Sequence, residues 1–129
     1  VSVCLDAWAV LAWLDGDQPA TGRVSVAIRD RPIISWVNLV EVYYRIERRH
    51  GRDAADRIVG KLRSELAPDL PGTARMLAAA RIKAANAIAL GECFALATAA
   101  GHGVRLLTGD PEIIGLRDPP CDVEDLRVA

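Results

Sequence analysis

"VSVCLDAWAVLAWL", residues 1–14, decides the architecture. Its first five residues are apolar except Ser2 and partly β-branched, which suits a short buried strand. "AWAVLAWL" then has the length and content of a helix, and Asp6 stands at the joint. The same succession returns twice. "PIIS" at 32–35 runs into the helix "WVNLVEVYYRIERRHG", closed by Gly51, and "VRLLTG" at 104–109 runs into the short helix "DPEIIGL". Helical patterns fill the intervals: weak over 20–29, charged along one side over 52–66, and Ala-rich in "TARMLAAARIKAANAIAL" and "GECFALATAAG". "PDLPG" reads as a breaker and "CDVEDL" as an edge strand. Strands alternating with helices predict an α/β protein in three layers, α/β/α, with a small central parallel sheet flanked by helices.

Composition sets the outer bounds. A chain of 129 residues suits one domain with one core, so 1–129 is read as a single domain. About half the residues are hydrophobic (51%) and the net charge is -1, an ordinary globular balance that argues against indiscriminate binding to nucleic acid. Apolar runs are interrupted by Asp15, Arg81, Lys83 and Glu92 before they reach the roughly 18 residues of a membrane span. A secretion signal is not expected, since the start lacks a basic segment followed by an apolar one. Cys4, Cys93 and Cys121 have no CxxC spacing, and three reduced thiols fit a cytoplasmic protein.

Parallel α/β sheets place ligands outside the carboxyl ends of their strands. That rule selects Asp6 and Asp110. Each also has an ordinary reading as a helix N-cap worth ~1 kcal/mol, and Pro111 after Asp110 strengthens it. Glu92, after Gly91, suits a helix start, where the dipole favours an acid. Glu41 lies in a helix whose early part is hydrophobic almost all round, and it shares one face with Asn38, Arg45 and Arg48. A buried carboxylate there needs a partner, and Arg45 one turn on is the simplest. Taken together, four acids in apolar neighbourhoods would repel one another and raise one another's pKa. A bound cation resolves that conflict, and oxygen-only ligands suit Mg2+, with Mn2+ as a substitute. Such a centre activates water and stabilises a phosphodiester transition state. His50 and His102 sit in turn settings and are read as solvated.

With those stations marked, "LDAWAVLAWL", "ISWVNLVEVYYRIERR" and "ALGECFALATAAGHGVRLLTGDPEI" resemble, in order and spacing, the PIN domain of VapC-type toxins from bacterial toxin–antitoxin pairs. The resemblance covers essentially the whole chain. It implies a Mg2+-dependent endoribonuclease inhibited by a cognate antitoxin, acting on RNA of the tRNA or rRNA class, as a homodimer or a toxin–antitoxin hetero-oligomer. Its catalytic acids fall on Asp6, Glu41, Glu92 and Asp110, with Asp6, Glu92 and Asp110 holding the metal. Thr108 matches a hydroxyl position near that metal, and Asn38, on the face of Glu41, is expected beside the acids. One station departs from the pattern, which has Asp in "LADC" or "LGDC" where this chain has Glu in "LGEC". Glu is a methylene longer, and Mg2+ tolerates little error around ~2.1 Å.

An acidic pocket repels RNA, so cations must surround it. Between Arg45 and Arg63 there are seven basic residues against three acids. Arg45 and Arg48, on the face of Glu41, are the expected phosphate contacts, while Arg57 and Lys61 fit a solvated helix face with pairs such as Asp53–Arg57. Trp8, Trp13 and Trp36 are read as core, with Trp13 and Leu14 as candidates for a groove that receives an antitoxin segment. Competing chemistries fit poorly: a nucleophilic-Asp phosphatase needs D-x-D where Trp8 stands, and a phospho-receiver needs an acid pair after strand one. The alternative that remains is a catalytically weak or inactive PIN-like module that binds an antitoxin, and Glu92 is its support.

Overall fold

The computed structural model describes residues 2–129; Val1, expected to open the first strand, lies outside them. Strands β1 (Val3–Leu5), β2 (Ile33–Ser35), β3 (Ala67–Asp69), β4 (Arg105–Thr108) and β5 (Val123–Asp125) form one sheet in the order β3-β2-β1-β4-β5. Every pairing is parallel. Side chains alternate across such a sheet, so the register sorts the core. Leu5, Ile34 and Leu107 align on one face, and Cys4, Ile33 and Leu106 on the other.

The first face is covered by α1 (Ala7–Asp15), α2 (Ala20–Ile28), α3 (Trp36–His50) and α4 (Arg52–Glu65). Val10, Val24, Leu39, Val42 and Leu62 fill that core. The second face is covered by α5 (Thr73–Ala85) and α6 (Leu90–His102), whose Ala79, Cys93 and Leu96 pack with Ile113 of the single-turn helix α7 (Pro111–Ile114). This is the three-layer α/β/α arrangement expected from the sequence. Helix α6 buries Cys93 and every residue from Ala95 to Ala99 because it lies between the sheet and its neighbours, which is why it reads as apolar all round.

The chain winds outward from β1 through β2 to β3, then returns across the other face to β4, on the far side of β1. The crossover direction therefore reverses between β1 and β4. A crevice opens outside the carboxyl ends of the strands at such a switch point. The residues that follow those two strands are Asp6 and, after Gly109, Asp110.

Two expectations are corrected. "PDLPG" contains the end of an edge strand: β3 pairs with β2 through Ile34 and Pro68, and the Ala67 N–H donates to the Pro32 carbonyl at 2.9 Å. Proline is tolerated there because an edge strand has a side that needs no donor. The Ala-rich run up to Leu90 is also broken. Helix α5 stops at Ala85, where the Asn86 amide donates to the Ile82 carbonyl at 2.9 Å, and Leu90 already belongs to α6. Among the described residues, no helix is long and apolar enough to cross a membrane.

Candidate active site

A cleft of about 750 Å3 opens over the ends of β1 and β4. Asp6 forms its floor. Only 4% exposed, it caps α1, one carboxylate oxygen accepting from the Ala9 N–H at 2.8 Å and the other from the Thr108 hydroxyl. The N-cap reading holds, and the same residue lines the cleft. Thr108, fully buried, ties two acids together, since its hydroxyl also accepts from the backbone N–H of Asp110 at 3.0 Å. Burial pushes the Asp6 carboxyl up to about 7, and the charges of Asp110 and Glu41 add to it, outweighing the two hydrogen bonds.

Helix α3 supplies the next wall. Ser35 caps it by accepting from the Val37 N–H at 3.2 Å, so it starts directly at the end of β2 with no loop. Glu41 points into the cleft and pairs with Arg45 at 3.2 Å, the i,i+4 bridge expected of it. The Asn38 amide donates to the Gly91 carbonyl at 3.0 Å, joining α3 to the start of α6. Its Oδ1 is buried with no partner among the described residues. Space is tight where the two helices meet: a Cβ on Gly91 would lie 3.1 Å from Oε1 of Glu41.

Glu92 reaches back to accept from the Ala89 N–H at 3.2 Å, so it is a helix-start device as well as a wall of the cleft. Across from it, Asp110 caps α7 through the Glu112 N–H at 2.9 Å. Glu92, Asp110 and Glu112 each offer a carboxylate oxygen, and the three oxygens lie within 4.8 Å of one another. Partial burial, then the facing acids Asp110 and Glu112, push Glu92 up to about 8. Glu112 is the functional candidate that the sequence reading passed over. Its signal was present in "DPE", where an N-cap and the second helical residue fall on the same side of one short turn. The tight trio thus has Glu112 where the sequence reading has Asp6, whose oxygens are engaged by Ala9 and Thr108 one layer deeper.

This donor set fits a hard divalent cation. Its atoms are all carboxylate oxygens, none of the three acids forms a salt bridge among the described residues, and Asn38, whose buried Oδ1 has no partner there, lines the same cleft. Arg45, Arg49 and His50 are also in the cleft lining; Arg49 belongs to the basic run noted in the sequence, and His50 is the residue read there as solvated. Arg48 stands outside the lining, its guanidinium 4.7 Å from the centre of the Tyr44 ring.

Solved structures of the same shape exist. A chain in the DNA-bound VapBC structure from Salmonella typhimurium superimposes with a TM-score of 0.78 at 18% identity, covering 98% of each chain. One in VapBC2 from Rickettsia felis, bound to a DNA fragment from its promoter, gives 0.75 at 13% identity over 97% of this chain and 98% of that one. One in VapBC-1 from nontypeable Haemophilus influenzae gives 0.74 at 16% identity over 99% and 100%. No curated protein sequence gives a match. At these identities the likeness is one of fold, but the PIN-domain family profile matches residues 3–118, from the start of β1 past α7, and so takes in every acid of the cleft. The chain belongs to the PIN-domain family.

Proposed function

We propose that the protein is a metal-dependent endoribonuclease, the toxin of a VapC-type toxin–antitoxin pair, hydrolysing RNA phosphodiesters at the acidic cleft and held in check by a cognate antitoxin. The observation that carries this reading is the convergence of acids at the switch point between β1 and β4, inside a PIN domain. The VapBC neighbours support the antitoxin partner, since the matched structures are of toxin–antitoxin assemblies.

Glu92, Asp110 and Glu112 would hold Mg2+ or Mn2+, with Asp6 and Asn38 beside them. A divalent cation supplies Lewis acidity toward a phosphodiester and lowers the pKa of water. The chain's own residues do the rest. Ala9 and Thr108 fix the Asp6 carboxylate so that it cannot rotate away. Arg45 holds Glu41 at the cleft wall, where its free oxygen can orient water or accept a proton. Glu92 faces Asp110 and Glu112 at close range, so no single carboxylate of the cluster is named as the base. Arg45 and Arg49 supply the cationic rim that RNA needs beside so many acids. Arg48, turned onto Tyr44, contributes to that field at longer range.

The test is cleavage of a mixed tRNA and rRNA pool by partner-free protein in Mg2+ against EDTA, with Asp6→Asn as the control that preserves the cap. Discrete fragments that vanish with EDTA and with Asp6→Asn are expected. Their absence in both Mg2+ and Mn2+ would sink the nuclease. The antitoxin-binding module is then the better reading, and the use of Glu92 as a helix-start acceptor is the observation that favours it. Glu92→Asp separates the two, because a large gain from near-zero cleavage means that the native Glu had silenced the site.

A further inference from the structure

The chain's three tryptophans are used differently. The Trp13 indole N–H donates to the Ser25 hydroxyl at 3.1 Å, and the Trp36 ring carries the Arg63 guanidinium 5.1 Å from its centre. The Trp8 indole N–H has no protein partner among the described residues, and its ring lines the cleft beside Asp6 and Asp110. Trp8 is also held firmly. A Cβ built on Gly109 would fall into its benzo ring at Cη2, Cζ2 and Cζ3, so the ring lies directly on the backbone between Thr108 and Asp110. Tyr44, the other aromatic of the lining, already has the Arg48 guanidinium over its ring.

We infer that Trp8 is a nucleobase-binding subsite, on which a base of single-stranded RNA stacks next to the phosphate lying over the acids. This rests on the nuclease reading. An acidic cleft repels phosphates but not the neutral face of a base, so an aromatic is the contact compatible with the carboxylates that line the same cleft. A ring already ordered against Gly109 loses little freedom on stacking, and its free N–H offers one polar contact to a base or a ribose oxygen. Stacking is tolerant of sequence, so the subsite sets the demand for an unpaired nucleotide and leaves its identity open. Base–aromatic stacks of this kind are worth about ten- to hundredfold in affinity.

The experiment uses Trp13→Phe/Trp36→Phe protein, in which Trp8 is the remaining indole, titrated with a fluorescein-free ten-nucleotide oligouridylate in Mg2+ in an Asp6→Asn background. Quenching of Trp8 emission is expected. In otherwise native protein, Trp8→Leu should raise KM for single-stranded RNA about ten- to hundredfold with kcat within about threefold, and Trp8→Phe should restore most of the loss. RNA that binds or is cleaved with Trp8 emission unchanged overturns the subsite and leaves the nuclease intact. So does a Trp8→Leu effect confined to kcat in folded protein, which would mean that the ring only steadies Asp110. Quenching by an Arg-containing peptide and not by RNA would overturn it in favour of a protein occupant. If native protein neither binds nor cleaves RNA, the nuclease reading falls and the subsite with it.

Discussion

At Gly109 the chain has room for a hydrogen and nothing larger. Thr108 before it bridges Asp6 and Asp110, and Asp110 after it carries one oxygen of the acid trio, so a shift here moves the whole floor of the cleft. Gly109→Ala is expected to cost ~1–3 kcal/mol by overpacking against Trp8 and to depress cleavage more than tenfold. Adding Trp8→Leu should recover much of the stability, because it removes the ring that the new methyl strikes. Urea unfolding of the two single variants and the double variant reads the coupling, and strictly additive losses would refute the contact. Glu92 makes the opposite kind of prediction. Two acids crowd it, so Glu92→Gln should raise the melting temperature of metal-free protein at pH 8 while removing cleavage and the stabilisation by Mn2+. A melting point that drops instead would make the Ala89 hydrogen bond its main role. At this scale, strand ends made Asp6 and Asp110 legible, and helix periodicity made Glu41 and Arg45 legible. Glu112 was hidden behind a capping role, while Trp8 packs against the core as expected and lines the cleft as well.

Elements meet the site through two junctions. On one side, the Asn38 amide ties α3 to the first turn of α6, so the helix carrying Glu41 and the helix carrying Glu92 move together. On the other, Arg75 of α5 donates to Asp69 at the end of β3 and to the Ala97 carbonyl of α6, and His102 approaches Asp69 at 3.0 Å. Both members of the Arg75–Asp69 pair are largely buried, at 21% and 16% side-chain exposure, so removing Arg75 leaves Asp69 with His102 alone. Arg75→Met is expected to lower stability by ~1–3 kcal/mol, measured in urea, with cleavage by the folded fraction unchanged. Loss of cleavage at full stability would place this junction in the catalytic machinery. The periodic helices and the apolar strands β1, β2 and β4 could be read directly because each has one dominant pattern. Strand β3 could not. It is three residues long, contains Pro68, and is specified by the edge of β2 rather than by its own composition. The gap between α5 and α6 was equally silent, since Ala87, Ile88 and Ala89 are as helix-compatible as their neighbours and the break depends on Asn86 and on Lys83, whose ammonium donates to the Ile88 carbonyl at 2.6 Å.

Across the whole molecule, the acids of the cleft oppose the fold that assembles them. Glu92 is pushed from 4.5 to about 8 and Asp6 from 3.8 to about 7, in both cases chiefly by burial. Between roughly pH 4 and pH 8 the folded chain therefore holds protons that the unfolded chain has released, and folding stability falls as pH rises through that window. Asp69 and Asp125 act in the other sense. Burial raises Asp69, but Arg75 and His102 outweigh it, and Arg127 holds Asp125 low, so the stability these two contribute is lost only as pH falls below the ordinary Asp value near 3.8. A cation bound to Glu92, Asp110 and Glu112 requires Glu92 ionised, so its binding displaces the proton that Glu92 holds and strengthens with pH. Metal-free protein in EDTA should accordingly melt at progressively lower temperature from pH 5.5 to pH 8.5. Saturating Mg2+ or Mn2+ should flatten or reverse that slope, and calorimetry in buffers of different ionisation enthalpy should register proton release on binding near pH 7. Glu92→Gln should make the EDTA profile shallower, leaving the part below about pH 7 that belongs to Asp6, and should abolish the proton release that belongs to Glu92. An EDTA profile that is level in native protein, or proton release that survives Glu92→Gln, would place the titrating group elsewhere and detach the cation from this trio.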